Sequence, residues 1–145
     1  MSPMKTIAII NGPNLNRLGT REPEVYGSAT LKDLEERLTA EAAELSVAIE
    51  FHQSNHEGAL VDLFGELADR GVDGVVLNGA AYTHTSVAMR DAISASGIRV
   101  VEVHISNIYS REEFRKHSYT APVCEGVITG LGFNGYSYAL KQLAV

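Results

Sequence analysis

The sequence holds one cysteine, Cys124, and no tryptophan among its 145 residues. A single thiol cannot close an internal disulfide, so a disulfide-stapled scaffold is excluded and a reducing, cytoplasmic setting is expected. Long apolar runs are also missing. The longest are pieces such as Ile7–Ile10 and Val75–Leu77, far short of the ~20 residues that span a bilayer. The start carries one positive charge and four apolar residues before Asn11, too little for a secretory signal. Basic runs are absent as well: 12 Lys and Arg against 18 Asp and Glu leave a net charge of −6. Such a chain is a poor partner for nucleic acid or an anionic membrane, and its charge serves solubility. No linker or repeat interrupts it, and the length predicts one domain, residues 1–145. With 45% apolar and 21% charged residues, the composition excludes disorder and suffices for a core.

What is present is a rhythm. Short β-branched runs at Thr6–Ile10, Val47–Phe51, Gly74–Leu77, Ile98–Val103 and Gly126–Thr129 read as strands. Between them lie helical patterns. Leu31, Leu34, Leu38, Ala42 and Leu45 share one face of a 3.6-residue period, with Thr30 as N-cap and Asp33 closing a short capping box. Leu60, Leu63, Phe64 and Leu67 form a second stripe ending at Gly71, where a C′ glycine belongs. Val87, Ala88, Ala92 and Ile93 form a third, stopped by Gly97. One turn is expected at Glu112–Lys116 and a last helix at Tyr136–Leu143. Strand alternating with helix predicts an α/β fold: a flavodoxin-like, doubly wound, five-stranded parallel sheet with helices on both faces.

In such a sheet ligands bind beyond the carboxyl ends of the strands. The links entering strands are short and bland; those leaving them are long and chemically dense. The first, Asn11–Gly27, runs 17 residues without an expected helix or strand, a length typical of lids and binding loops. Leu15, Leu18, Val25 and Tyr26 give it apolar anchors, and a lid over about residues 12–28 is expected. It carries Arg17, Arg21 and Tyr26. A guanidinium beside a phenol favours the phenolate, which would make Tyr26 a general base; the alternative is a capping aromatic. Glu102 and His104, two apart on the fourth strand, face the same way. A carboxylate there orients the imidazole as an acid, or the two form a structural pair. Asn14 and Asn78, at neighbouring strand ends, suit an oxyanion, a hydroxyl or a water, or simply turn formation.

Three weaker signals point elsewhere. Gly130-x-Gly132-x-x-Gly135 matches a dinucleotide fingerprint by letter, but no following strand and no acidic residue about 20 positions on complete it, so tight-turn packing is expected. His52 and His56 beside Glu57 lack the order of a metal motif, and no metal is expected. Cys124 lacks an electropositive setting and reads as a small core residue.

Longer stretches carry a resemblance. Asn11-Gly-Pro-Asn-Leu-Asn16, Leu18-Gly-Thr-Arg-Glu-Pro-Glu-Val-Tyr-Gly27, Gln53-Ser-Asn-His-Glu-Gly58, Ala81-Tyr-Thr-His-Thr-Ser86, Glu102-Val-His-Ile-Ser-Asn107 and Arg111-Glu-Glu-Phe-Arg115 together resemble the type II 3-dehydroquinate dehydratases, in the same order and over nearly the whole chain. Gly130–Tyr136 fits as well. One departure is Asn78-Gly79, where the family usually has Asn-Pro; losing the proline is expected to loosen that turn.

The resemblance implies a shikimate- or quinate-pathway hydro-lyase that needs no cofactor or metal and converts 3-dehydroquinate to 3-dehydroshikimate by trans elimination through an enolate. It implies Tyr26 as the base at C2, Arg21 keeping it ionised, a water near Asn14 on the enolate, and His104, oriented by Glu102, as the acid for the C1 hydroxyl. Asn78, His84 and Arg115 would bind substrate hydroxyls, Ile105 and Ser106 the carboxylate, and Asp91 would reach in from a neighbouring subunit of a dodecamer built from four trimers. The residues independently supply the base, oxyanion stabiliser and acid that elimination from a β-hydroxy ketone needs. Lys5, Lys32, Lys116 and Lys141 do not end an apolar strand, so a desolvated Schiff-base lysine has no candidate. The other reading is a flavodoxin-like small-ligand binding module without catalysis. A phosphate-accepting receiver would want acidic residues where Asn11 stands and a lysine where Gly130 stands.

Overall fold

Alternation along the first strand sets up two cores. In the computed structural model, which describes residues 4–20, 22, 24 and 27–145, β1 (Thr6–Asn11) sends Ile7 and Ile9 to one face of the sheet and Ala8 and Ile10 to the other. It lies between β2 (Ala48–Gln53) and β3 (Gly74–Asn78); β4 (Arg99–His104) and β5 (Gly126–Thr129) follow. All pairings are parallel and the order is β2-β1-β3-β4-β5. This is the flavodoxin-like order expected from the strand–helix rhythm, with its switch point between β1 and β3.

Helices α1 (Leu31–Glu44) and α4 (Phe133–Ala144) pack on the Ile7/Ile9 face through Leu34, Leu38, Tyr136 and Leu140. Helices α2 (Glu57–Asp69) and α3 (Val87–Ser96) cover the other through Leu60, Phe64, Met89 and Ile93. Each such side chain, removed from water, contributes about 1.5–3 kcal/mol. The Thr30–Asp33 capping box forms in both directions, at 3.1 and 2.9 Å. Gly97 ends α3 at φ 66° and Gly71 follows α2 at φ 73°, left-handed positions that favour glycine.

Four strands run further than their apolar runs. β1 includes Asn11, β2 His52 and Gln53, β3 Asn78 and β4 His104. A ladder needs backbone N–H and C=O groups, not apolar side chains. Polar residues that would read as loop are therefore held rigidly on the sheet's carboxyl edge, with Asn11 in register with both Gln53 and Asn78. The links also contain 3-10 turns at Leu15–Arg17 and Ala80–His84, so the first is not wholly irregular. The turn expected at Glu112–Lys116 is a 3-10 turn, Glu113–Lys116. Leu15 and Leu18 are buried anchors as expected, whereas Arg21, Val25 and Tyr26 lie outside the described residues.

The last glycine of the signature, Gly135 in the first turn of α4, serves packing: a Cβ there would stand 3.3 Å from both Ile128 and Val103. Gly79 holds φ −74°, close to the torsion a proline imposes, so the turn has a proline-like shape without the ring. Cys124 packs against the α2/α3 core, and burial, then the Glu102 charge, pushes its thiol up to about 12. Among the described residues no helix is long and apolar enough to cross a membrane.

Candidate active site

At the switch point the chain leaving β1 presses on the chain leaving β3. Gly12 N–H donates to the Asn78 carbonyl at 2.8 Å, and a Cβ on Gly12 would sit 2.5 Å from the Gly79 carbonyl oxygen. Beneath this contact the fully buried Tyr136 hydroxyl donates to Asn11 Oδ1 at 2.6 Å and accepts from Asn78 Nδ2 at 2.9 Å. Burial pushes this phenol above its ordinary range, so it stays neutral and can act as both donor and acceptor. Asn78 Oδ1 accepts from the Ala80 N–H at 3.1 Å. Both ends of the Asn78 amide are thereby fixed.

The ends of β4 and its following chain form the second wall. Glu102 is fully buried and accepts from His104 Nε2 at 2.8 Å. Ser118 Oγ lies 3.1 Å from both carboxylate oxygens, and the Thr120 hydroxyl donates to Oε1. Burial pushes the Glu102 carboxyl up, but the hydrogen bonds from His104, Thr120 and Ser118 outweigh it and hold the group below its ordinary value. A charged Glu102 fixes the hydrogen of His104 on Nε2, leaving Nδ1 as the ring nitrogen for a bound molecule. The His84 ring stacks on His104 with centroids 6.1 Å apart. Its Nδ1 lies 2.8 Å from the His117 carbonyl. A carbonyl can only accept, so Nδ1 carries the hydrogen and Nε2 is the acceptor. Burial, only partly opposed by that bond, lowers the His84 pKa and favours the neutral ring.

Between these walls a pocket opens, lined by Asn14, Asn78, His104, Ser106, Arg111 and Arg115 among others. The two arginine side chains are only 15% and 17% exposed. Arg111 Nη1 is 3.4 Å from Ser106 Oγ, and Arg111 also pairs with Glu22 and Glu112. An acidic chain thus presents guanidinium groups to this cavity, a setting for a small anion. Asn14 stands at its rim in the left-handed region, φ 69°. Its N–H donates to Asn55 Oδ1 at 2.9 Å, and Tyr82 Oη donates to the Asn55 carbonyl at 2.7 Å. Asn55 therefore ties together the chains leaving β1, β2 and β3.

Of the residues expected at the site, Asn14, Asn78, His104, Ile105, Ser106 and Arg115 meet at this one pocket, with His84 against His104 and Glu102 behind it. Asp91 does not join them: it is exposed on α3. Arg21 and Tyr26 lie outside the described residues. Sequence reasoning missed the supporting groups Asn55, Ser118, Thr120 and Tyr136, and passed over Arg111 as a lining residue. Tyr136 reads as one more apolar helix position, and nothing local marks Thr120 as a partner for a carboxylate on β4. Asn55, Arg111 and Tyr136 lie within the stretches that carry the resemblance, but without an assigned role there.

A family model described as dehydroquinase class II matches residues 5–144. A 3-dehydroquinate dehydratase of Acidovorax sp. (strain JS42) is 56% identical over 144 residues, covering 97% of each chain. That of Bacillus pumilus is 55% identical over 140 residues, 97% of this chain and 95% of the relative. The crystal structure of a type II dehydroquinase from Butyrivibrio crossotus superposes with a TM-score of 0.96 at 45% identity, over 98% of this chain and 99% of the other.

Proposed function

The chain belongs to the class II dehydroquinase family, and from that premise we propose that residues 1–145 form a single catalytic domain that dehydrates 3-dehydroquinate to 3-dehydroshikimate. What most supports the chemistry is the His104–Glu102 pair at 2.8 Å, set at a pocket that also carries Asn78 and two shielded arginines. Elimination from a β-hydroxy ketone needs a base at the α-carbon, a place for enolate charge and an acid for the leaving hydroxyl.

In this reading ionised Tyr26, kept so by Arg21, takes the C2 proton. The C2–H electron pair moves into the ring to give an enolate, whose oxygen is stabilised through a water held near Asn14. As the enolate collapses, the C1–O bond breaks and its electron pair leaves with oxygen. His104 delivers the proton from Nδ1, so the group departs as water. Glu102 orients His104 and stabilises its charged form but does not touch substrate. Asn78, His84 through Nε2, and Arg115 bind hydroxyls, and Ile105 with Ser106 holds the carboxylate. Asp91 acts at the site of a neighbouring subunit, which makes the assembly, a dodecamer of four trimers, part of the proposal. The enzyme works without cofactor or metal, in the cytoplasm.

The test is ultraviolet absorbance on adding 3-dehydroquinate to chelator-treated protein, wild type beside Tyr26→Phe. The product's conjugated enone absorbs where the substrate does not. A rise with wild type that is nearly lost in the variant supports both reaction and base. No rise from folded protein overturns the dehydratase reading in favour of a small-ligand binding module. A rise that survives the substitution keeps the reaction and removes Tyr26 as base.

A further inference from the structure

The chain from His117 to Thr120 touches His84 and the carboxylate behind His104 without lining the pocket. The His117 carbonyl accepts from His84. One residue on, Ser118 Oγ lies 3.1 Å from each oxygen of Glu102. Two residues further, Thr120, fully buried, donates to Glu102 Oε1. Ser118 Oγ accepts from the Ala121 N–H at 2.9 Å, and of the acceptors left for its own hydrogen the charged Glu102 oxygens at 3.1 Å are nearer and stronger than Thr120 Oγ1 at 3.3 Å.

We infer that Ser118 and Thr120 are positioning residues for the acid: their hydroxyls fix the Glu102 carboxylate and share its charge with His104. The inference rests on the reading of His104 as the acid. A buried carboxylate with a single donor would concentrate its charge on that donor. On Glu102, Thr120 holds Oε1 and Ser118 bridges both oxygens, so Oε2 meets His104 Nε2 in one orientation and with part of the charge already drawn off. A carboxylate that pulled harder on Nε2–H would stabilise the imidazolium more and make Nδ1–H a weaker acid. One that was free to rotate would lose the ring's aim. Two hydroxyls from outside the pocket thus set how readily the acid gives up its proton. No element of the segment needs to contact substrate.

The experiment compares wild type with Thr120→Val, which removes the hydroxyl at nearly constant volume, and Thr120→Ser, which restores it. Two readouts are taken: the His104 Nε2 proton resonance of the free protein, identified by its absence from His104→Asn, and kcat and KM with 3-dehydroquinate. In Thr120→Val the resonance is expected to move downfield, kcat to fall by about tenfold, and KM to stay within about twofold; Thr120→Ser returns all three. A folded Thr120→Val with unchanged resonance and unchanged kcat overturns the inference. If Thr120→Val does not fold, Ser118→Ala at the half-buried position carries the same expectations and the same refutation. Turnover without any movement of the resonance leaves the dehydratase reading standing and removes the brace. Movement of the resonance in a folded protein that makes no product supports the brace on Glu102 and overturns the dehydratase reading instead.

Discussion

Asn11 and Asn78 end adjacent parallel strands and share one buried hydroxyl, that of Tyr136, at 2.6 and 2.9 Å. The phenol comes from α4, more than fifty residues beyond Asn78, and passes through the α1/α4 core to reach the switch point. The hydroxyl donates to one amide and accepts from the other, and the Ala80 N–H on Asn78 Oδ1 at 3.1 Å decides which: Asn78 presents nitrogen to the phenol and Asn11 presents oxygen.

Tyr136→Phe follows from this arrangement. It leaves Asn11 Oδ1 and Asn78 Nδ2 buried with their shared partner removed, a loss of about 1–3 kcal/mol. The urea midpoint is expected to fall accordingly. Because Asn78 then turns more freely at the pocket wall, KM for 3-dehydroquinate is expected to rise more than kcat falls. An unchanged midpoint would show that water replaces the hydroxyl without cost.

His104→Asn tests the acid directly. The variant keeps a polar group of similar reach but cannot deliver a proton at neutral pH. Loss of positioned acid catalysis lowers kcat by about 100- to 10,000-fold, with little change in KM. The enone absorbance assay measures both. A loss confined to KM would make His104 a binding group and move the acid elsewhere.

Much of this was legible beforehand, for a physical reason. Leu34, Leu38 and Ala42, or Ile7 and Ile9, are placed by local periods of 3.6 and 2, which any single sequence displays. The site residues also surfaced, because Asn14, Asn78, Glu102 and His104 follow or interrupt apolar runs that the fold places on one edge. The supporting groups were not legible. Thr120 meets Glu102 and Tyr136 meets Asn11 only through tertiary packing. Strand ends were missed by one or two residues for the reason seen at Asn78 and His104: backbone pairing continues past the last apolar side chain.

Acid should weaken the fold through two groups. Glu102 has a folded pKa held below the ordinary glutamate value of 4.5, so its contribution is complete above about that pH and disappears as pH falls through the folded value. His84 has a folded pKa below 6.5 because burial disfavours the cation. The unfolded chain then binds the proton more readily, so stability is full above 6.5 and declines as pH falls toward the folded value. Urea midpoints measured from about pH 7.5 to about pH 5.5 are expected to decline in wild type and to decline less in His84→Gln. Equal slopes would show that His84 titrates alike in both states.

Gly12 and Gly79 give the sharpest steric prediction, because the contact joins two backbones. A Cβ at Gly12 would stand 2.5 Å from the Gly79 carbonyl oxygen and 2.8 Å from its carbon. No side chain can swing aside to relieve it. The Gly12 N–H bond to the Asn78 carbonyl would have to lengthen and the two loops to part, a strain of about 1–3 kcal/mol of the overpacking kind. Gly58, near the start of α2, has nothing within 4 Å of its Cβ position. There alanine only narrows the unfolded ensemble and adds about 0.4–1 kcal/mol. Gly12→Ala is therefore expected to lower the urea midpoint and Gly58→Ala to raise it. Since the Gly12 loop carries Asn14 at the pocket rim, Gly12→Ala should also reduce kcat/KM, whereas Gly58→Ala should leave it unchanged. If Gly12→Ala is as stable and active as wild type, the loops at the switch point are free to separate, and their close approach does not shape the site.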